Sequence, residues 1–252
     1  MILIVGHGII PEMETFVDVR NALKFDYDVY LGAFACKFFG ELEGKVIYNM
    51  EYLHDDAYVF VIGYMETLKN NIVIDFSRSN VEYLKAHGID VFYMPYGYHK
   101  TLERVTPKEK DIDVLFIGTT HHERRARILD KLAKNCMLVV ATNCYGTKLD
   151  DVVARAKVHL NMHHLDGQPL ETVRLNYLMA NHCNIVSERG SDEMLNRDYA
   201  EGVRFCDYDE LIDTCMLAME KPIDGYDAIK QIPQDCRLAN KWIRERLCQQ
   251  QQ

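Results

Sequence analysis

The chain has 252 residues, of which 48% are hydrophobic and 27% are charged, which is enough apolar material for one large domain or two small ones. Its formal net charge of −9 argues against binding to nucleic acid or to an anionic membrane surface, since both favour a basic protein face. The start MILIVGHG lacks the basic segment of a signal peptide, no apolar run approaches the roughly 20 residues of a membrane span, and the eight cysteines form no CxxC pair. We therefore expect a cytoplasmic protein with reduced thiols and no integral membrane segment.

Short apolar runs alternate with helical patterns through the first hundred residues. Strands are predicted at 2–5, 27–31, 45–49, 58–62, 72–75 and 90–94, and helices at 14–24, 65–70 and 78–87. This alternation, with apolar strands, is typical of a largely parallel sheet that carries helices on its faces. The polar segment 100–111, which has a proline, mixed charge and no apolar periodicity, is predicted to be a linker.

The same alternation resumes after the linker. Strands are predicted at 113–117, 137–142, 158–162, 184–187 and 203–206, and helices at 122–134, 148–157, 171–181, near 191–196, at 208–220 and at 234–248. The pattern predicts an α/β protein in which two Rossmann-like lobes face each other across a cleft. The predicted divisions are an N-terminal domain at 1–105, a second domain at 111–230, and a C-terminal helix and tail at 231–252. Ligands of such sheets bind outside the carboxyl ends of the strands, which would place the site in the cleft.

A glycine-bearing turn, IVGHG, follows the first strand at residues 4–8. It is not a GxGxxG fingerprint, and a tight turn between strand and helix explains it equally well. If the turn is functional, Gly6 and Gly8 let a substrate approach the backbone, and His7 is a candidate general base.

Four polar or aromatic residues follow other strands of the first half. Glu51 and Asp75 come at or just past strand ends, and Tyr96 and Tyr98 precede the linker. Carboxylates and aromatic rings at a cleft rim suit sugar recognition, although simple surface polarity explains any one of them.

The segment VLFIGTTHHERRARILDKL, residues 114–132, indicates an anion site. Gly118 and Thr119 follow an apolar strand, and Arg124 and Arg125 lie near the start of the next helix. Arginines in a first turn oppose the helix dipole, whereas a bound phosphate would accept hydrogen bonds from amides and guanidiniums together. A solvated basic face is the alternative.

A second candidate anion site lies in LDGQPLETVRLNY, residues 165–177. Gly167 gives the loop backbone freedom, Glu171 opens the helix, and Arg174 lies one turn further. Glu171 either caps the helix dipole or accepts bonds from two vicinal hydroxyls. The histidines near this segment, including His163, lack the converging spacing of metal ligands, so no metal site is predicted.

Three segments resemble the donor-binding lobe of GT-B glycosyltransferases, in particular compact bacterial and viral enzymes with a lobe like that of glycosyltransferase family 4. They are DVLFIGTTHHERRARILDKL, AKVHLNMHHLDGQPLETVRLNYLMANHCNIVSE and GVRFCDYDELIDTCM, and the preceding DFSRSNVEYLKAHGIDVFYMPYGYH resembles the end of the acceptor-binding lobe. The resemblance covers residues 72–217, and the helix around Trp242 resembles the segment that packs back across the lobes.

The resemblance implies transfer of a hexosyl or deoxyhexosyl group from a nucleotide-diphosphate sugar to a carbohydrate or other acceptor, without a cofactor or bound metal. Residues 1–105 would form the acceptor side and residues 111–230 the donor side. The implied donor-binding residues are Gly118, Thr119, Arg124, Arg125, His163, Gly167, Glu171, Thr172 and Arg174. The implied acceptor-side residues are Gly6, Gly8, Tyr96 and Tyr98, with His7, Glu51 and Asp75 as candidates for the catalytic base.

The chain departs from the family pattern in two respects: it is short for a GT-B enzyme, which implies a trimmed acceptor lobe, and it lacks the common E-x7-E pattern. Pro169 and Tyr177 stand near the positions where the two glutamates of the common E-x7-E pattern would align. Two other functions use the same lobes: a non-catalytic nucleotide-sugar binding protein, and an enzyme like an NDP-sugar epimerase. The donor base and sugar, the acceptor and the oligomeric state are left open by the sequence.

Overall fold

The structure is a computed structural model that describes residues 1–35, 41–53, 63–232 and 234–250. The chain divides into two compact units, the first formed by Met1–Tyr96 with Pro233–Gln252, and the second by Gly97–Ile232. The division between the units therefore falls at Tyr96 and Gly97 rather than at residues 105 and 111. The C-terminal segment, which the sequence separates at residue 231, belongs to the first unit from Pro233 onward.

The first unit contains a parallel sheet of five strands in the order β1-β2-β3-β4-β5. The strands are β1 (Ile2–Ile4), β2 (Val29–Leu31), β3 (Val46–Asn49), β4 (Ile72–Asp75) and β5 (Val91–Tyr93). The helices are α1 (Phe16–Ala22), α2 (Tyr64–Lys69) and α3 (Arg78–Ala86), with 3-10 turns at Pro11–Thr15 and Ala33–Ala35. Burial of β3 and β4 at every position explains their continuous apolar runs.

The second unit contains a parallel five-stranded sheet in the order β10-β9-β8-β6-β7. Its strands are β6 (Ile112–Ile117), β7 (Leu138–Ala141), β8 (Ala156–Asn161), β9 (Ile185–Glu188) and β10 (Arg204–Cys206). Its helices are α4 (Glu123–Leu132), α5 (Gly146–Arg155), α6 (Thr172–Ala180), α7 (Glu193–Tyr199), α8 (Leu211–Glu220) and α9 (Tyr226–Ile229), with 3-10 turns at Lys100–Leu102 and Tyr208–Glu210. One core cluster joins α4 and α8 to strands β6, β8 and β9.

The last helix, α10 (Cys236–Gln250), packs against other elements of the first unit. The side-chain oxygen of Asn240 accepts a hydrogen bond from the amide of Asp26 at 3.0 Å. The Trp242 ring lies 5.6 Å from that of Phe92, and Arg246 pairs with Asp90 at 2.7 Å. These contacts explain why the tryptophan-bearing segment returns to the first unit.

The predicted fold class, two Rossmann-like α/β lobes, is confirmed by the two parallel sheets with their helices. The predicted strand at 58–62 lies outside the described residues. The short helix expected near 191–196 lies at Glu193–Tyr199, and the helix Tyr226–Ile229 has no counterpart in the prediction. Within the described part of the chain, no helix combines the length and apolar character needed to cross a bilayer.

Candidate functional site

The strand order of the second unit contains a topological switch point. The chain runs from β6 outward to β7, then returns to β8 on the other side of β6 before continuing to β9 and β10. The connections that leave the carboxyl ends of β6 and β8 therefore diverge, and ligands of open α/β sheets bind in the crevice that this opens. The sheet topology therefore indicates a binding site at the residues that follow β6 and β8, independently of the sequence motifs.

Gly118 and Thr119 follow β6 directly, as predicted. Gly118 has a φ of 145°, and a Cβ there would lie 3.3 Å from the Phe116 ring and 3.6 Å from a guanidinium nitrogen of Arg125. The backbone angle favours glycine at this position, and a Cβ there would press on the Phe116 ring.

Arg125 spans the crevice and is almost completely buried, with 5% of its surface exposed. It donates to the His163 carbonyl at 3.2 Å and the Met162 carbonyl at 2.9 Å, both after β8, and to the Thr119 carbonyl at 3.3 Å, after β6. Burial, and then the charge of Arg174, lower the pKa of Arg125 to about 10. Arg125 is therefore a fixed cation whose N–H groups hold the two sides of the crevice together.

Arg124 is engaged by a carboxylate of the protein. Glu188, at the end of β9, accepts two hydrogen bonds from its guanidinium, one of them at 2.7 Å, and the Tyr208 ring lies 4.0 Å from the guanidinium carbon. Burial alone would lower the pKa of Arg124, but Glu188 outweighs burial and raises it. Because the Arg124 side chain is only 14% exposed and Glu188 only 7%, this ion pair is built into the sheet edge.

Glu171 lies at the centre of a second polar network. Its carboxylate oxygens lie 3.1 Å from Nδ1 of His163, and one accepts a hydrogen bond from the Asn161 amide at 2.8 Å. Arg174 donates to the Asn161 oxygen at 2.7 Å, and Ser187 accepts from the Asn161 amide at 3.0 Å. The structure therefore brings together the predicted residues Glu171, Arg174 and His163, with 24% of the Glu171 side chain still exposed.

The electrostatics of this network favour an ionised Glu171. Burial alone would raise the pKa of Glu171, but the charge and hydrogen bond of His163, the charge of Arg174 and the hydrogen bond of Asn161 hold it far below its usual range. Burial lowers the pKa of Arg174, with Glu171 acting in the opposite direction. A carboxylate has about four lone-pair positions, so Glu171 can also accept bonds from a ligand hydroxyl at its exposed side.

The other two predicted donor residues have different surroundings. Gly167 lies in an exposed loop with a φ of 72°, which favours glycine. Thr172 is 3% exposed in the first turn of α6. Thr172 is thus placed to support the helix start rather than to present its side chain to solvent.

Sequence reasoning missed several residues of the two networks. Asn161 and Ser187 lie inside runs that read as buried strands, where a polar residue has no pattern to mark it. Glu188 could have been recognised, because a carboxylate directly after an apolar strand is often buried and then requires a charged or hydrogen-bonding partner. In the structure it is 5% exposed. That partner is Arg124, which the sequence analysis assigned to a ligand.

Tyr177, near the position of the second glutamate of E-x7-E, has a structural role. Its hydroxyl donates to Asp150 at 2.6 Å, and the Arg104 guanidinium lies 4.3 Å from its ring centre. Burial, followed by the hydrogen bond with Asp150, raises the pKa of Tyr177. The Tyr177 side chain is therefore engaged by other groups of the second unit.

We predict that Tyr177→Phe lowers the free energy of unfolding by about 2 kcal/mol, within the typical range for a hydrogen bond to a charged group such as Asp150. Nucleoside diphosphate affinity, measured by calorimetry, is expected to stay within a factor of two of wild type. A larger loss of affinity in a folded variant would show that Tyr177 contacts the ligand.

In the first unit, Asp75 is fully buried at the end of β4, with no exposed surface. It accepts hydrogen bonds from Asn49 at 2.6 Å, the Ser77 amide at 2.9 Å and Asn80 at 3.2 Å. Burial raises the pKa of Asp75 to about 7, against the effect of these donors. These hydrogen bonds favour the ionised carboxylate while burial favours the protonated form, and they make Asp75 a brace between β4, the end of β3 and the start of α3.

Asp75→Asn is expected to lower the free energy of unfolding by about 2 kcal/mol, because the new amide nitrogen would face donors and leave them without an acceptor. Urea denaturation followed by circular dichroism measures this change. Ser79→Ala, at a less buried site in the first turn of the following helix α3, is the control. A fully stable variant that has lost turnover would instead make Asp75 a catalytic group.

The remaining candidates of the first unit lie at the same sheet edge. Burial raises the pKa of Glu51, two residues past β3, to about 7, and its side chain is half-buried. His7 lies in the turn between Gly6 and Gly8, whose φ angles are 72° and 79°. Its Nε2 atom is 3.0 Å from a carboxylate oxygen of Glu14. Glu51 is thus partly accessible to solvent, and its raised pKa suits a general base near neutral pH.

The two predicted aromatic residues do not form one surface. Tyr96 has no exposed surface and belongs to the first unit. Tyr98 belongs to the second unit, where its hydroxyl donates to Glu103, which also accepts from Tyr226 at 2.8 Å. These bonds hold the pKa of Glu103 down at about 2. Both tyrosines are therefore placed as packing or anchoring groups.

Among the described residues, no group of three or more His, Cys, Asp and Glu side chains converges as a metal ion would require. Metal independence stays a prediction.

No protein-family model matches the chain. An uncharacterized protein of Acanthamoeba polyphaga mimivirus is 30% identical over 181 residues, which are 68% of this chain and 58% of that protein. The chain thus spans less than two thirds of the length of this relative.

Solved structures of glycosyltransferases share the fold. AviGT4, a glycosyltransferase involved in avilamycin A biosynthesis, matches with a TM-score of 0.54 and 11% identity over 98% of this chain and 97% of its own. A T4 phage BGT variant in complex with UDP-glucose matches with a TM-score of 0.52 and 12% identity over 98% and 95%. TarM matches with a TM-score of 0.51 and 9% identity over 93% of this chain but only 55% of its own. The predicted resemblance to GT-B glycosyltransferases is confirmed at the level of the fold, and its family 4 character stays a prediction.

Proposed function

We propose that this protein is a glycosyltransferase that takes its sugar from a nucleotide-diphosphate donor bound at the switch crevice of the second unit. The observation that carries the proposal is the network around Glu171, which places an ionised, partly exposed carboxylate and Arg174 at the start of α6. Fold likeness to AviGT4 and to the UDP-glucose complex of T4 phage BGT supports the same conclusion by analogy.

The charges suit a sugar diphosphate. Arg125 and Arg174 provide positive field beside Gly118 and Thr119, where the backbone is open to a phosphate. Glu171 supplies the acceptor for ribose or sugar hydroxyls. Arg124, neutralised by Glu188, contributes less than the sequence predicted.

In the reaction, the bond between the anomeric carbon and the diphosphate breaks, and the acceptor hydroxyl oxygen forms a bond to that carbon. The diphosphate leaves with the electron pair, stabilised by the fixed cations without a metal. If the reaction inverts configuration, the hydroxyl proton passes to a base, and among the candidates predicted from the sequence Glu51 has the pKa that best suits this role. We place the protein in the cytoplasm, where its buried thiols such as Cys183 and Cys215 would remain reduced.

Turnover tests the proposal. UDP-, GDP- and TDP-linked hexoses and deoxyhexoses are incubated with the protein and an oligosaccharide mixture in EDTA, and release of nucleoside diphosphate is measured. Release that depends on the acceptor supports a metal-independent transferase. Tight binding without release would identify a nucleotide-sugar binding protein, and conversion of the donor without an acceptor would identify an epimerase.

A further inference from the structure

His163 is enclosed by acceptors on both sides of its ring. Nδ1 lies 3.1 Å from the carboxylate oxygens of Glu171, and Nε2 lies 3.0 Å from the carbonyl oxygen of Arg189. A neutral imidazole carries one N–H and satisfies one of these partners, whereas an imidazolium carries two and satisfies both. With 1% of its surface exposed, His163 does not reach a ligand in the crevice.

We propose that His163 is not a donor contact but a buried imidazolium that neutralises and positions Glu171, so that an anionic nucleotide can bind beside that carboxylate. This inference rests on the proposed function of the crevice. Without the charge on His163, an ionised Glu171 would repel the diphosphate of the donor.

Charged groups lie near His163 on the elements packed against it. They are Glu171 at the start of α6, Glu188 at the end of β9, Arg124 and Arg125 of α4, and Arg174 one turn into α6. Arg124 and Arg125 donate to the His163 carbonyl, so their charges lie on its backbone side. Of these two carboxylates, Glu171 faces the ring, and Glu188 accepts a hydrogen bond from the His163 backbone amide at 3.2 Å.

The direction of the titration follows from these contacts. Burial alone would lower the pKa of His163, but Glu171 outweighs burial and raises it. A raised pKa in the folded protein means that the imidazolium persists to a higher pH than that of an unperturbed histidine and is lost as the pH rises through the folded-state pKa. We therefore expect nucleotide affinity to fall on the alkaline side.

His159 is an internal contrast on the same strand. It is equally buried, but its ring faces only the carbonyls of Val153 and Asn184, at 3.1 and 3.4 Å. Burial lowers the pKa of His159 to about 4, so it remains neutral at every pH of interest. The carboxylate of Glu171 is thus the feature that separates the two histidines.

The first arm of the experiment reads the charge without any ligand. The protein is labelled with ¹⁵N-histidine, and the ring resonances of His163 are assigned by their loss in His163→Asn. At pH 7 we expect both ring nitrogens of His163 to be protonated, and only one ring nitrogen of His159. A singly protonated His163 ring at pH 7 would overturn the proposal whether or not the protein binds nucleotides.

The second arm measures the dissociation constants of UDP, GDP and TDP between pH 6.5 and 9.5. His163→Asn retains a donor near Glu171 and His163→Gln one near the Arg189 carbonyl, and neither carries the charge. We expect wild-type affinity to fall roughly tenfold towards alkaline pH, the effect of one charge about 12 Å from the diphosphate at an effective dielectric constant of about 20. At pH 6.5 both variants are expected to bind the nucleotides roughly tenfold more weakly than wild type. Their affinity should not fall further as the pH rises.

A wild-type pH profile in His163→Asn would show that the hydrogen bond matters and the charge does not, which contradicts the proposal. If none of the three nucleotides binds wild type, the proposed function fails, and the resonance measurement still decides the charge of His163.

Discussion

Replacement of Arg125 by methionine is expected to lower the free energy of unfolding by about 3 kcal/mol, the largest stability effect of any substitution at the switch crevice. Methionine fills much of the same space, so the loss comes from the hydrogen bonds rather than from a cavity. The Met162 carbonyl would lose its guanidinium donor at 2.9 Å, and the His163 carbonyl would lose the bond at 3.2 Å and keep only the longer bond from Arg124, at 3.4 Å. Each buried acceptor left without a partner costs about 1–3 kcal/mol.

Urea denaturation followed by circular dichroism measures this change. The matched control is Arg127→Met on the same helix, where the arginine side chain is 58% exposed and pairs only with the exposed Glu123. Exposed pairs of this kind contribute little, so the control should remain within about 0.5 kcal/mol of wild type. If Arg125→Met is as stable as Arg127→Met, the guanidinium does not hold the crevice together.

Replacement of Glu171 by glutamine is expected to reduce kcat/KM for the nucleotide-sugar donor by about a hundredfold, which corresponds to about 2.7 kcal/mol of transition-state stabilisation. The amide has nearly the same shape, but it cannot carry the charge that Glu171 holds against His163 and Arg174. The glutamine oxygen is also a weaker hydrogen-bond acceptor for a ribose or sugar hydroxyl than a carboxylate oxygen is. Donor affinity should fall with turnover, because the carboxylate contacts the donor in the bound state.

Glu123→Gln is the control, because its side chain is 87% exposed on α4 and forms only a surface pair with Arg127. Steady-state kinetics and calorimetry on both variants separate binding from turnover. Unchanged kinetics in a folded Glu171→Gln variant would remove this residue from the donor site.

Much of the fold was predictable because its signals are local. Apolar runs such as 72–75 and 113–117 mark buried parallel strands, and Gly88 ends α3 at the φ of 74° that favours glycine. The order of the strands is not local, and the switch point between β6 and β8 became visible only in the structure. That order is what gives the residues after these two strands their common location.

The candidate site was predictable in its location but less so in its roles. Glu171 and Arg174 share one face of a helix because they are three residues apart, a spacing that the sequence shows directly. The partner of Arg124 could not be read in this way, since Glu188 lies 64 residues further along the chain. Arg125 follows Arg124 immediately, yet the helix directs the two neighbours to different partners. From the charge pattern alone, both arginines are predicted to bind a phosphate. In the structure, Arg124 instead binds the Glu188 carboxylate and Arg125 binds the backbone carbonyls that follow β8.

Hydrogen–deuterium exchange with and without UDP, GDP and TDP, in the presence of EDTA, tests most directly whether a nucleotide binds at the switch crevice. We predict that one of these nucleotides slows exchange in peptides covering 118–126 and 161–175, which contain the residues after β6 and β8 and the start of α6. Peptides covering the edge strand 137–142 should exchange at an unchanged rate. Protection confined to other segments, or none at millimolar concentrations of all three nucleotides, would contradict a donor site at this crevice.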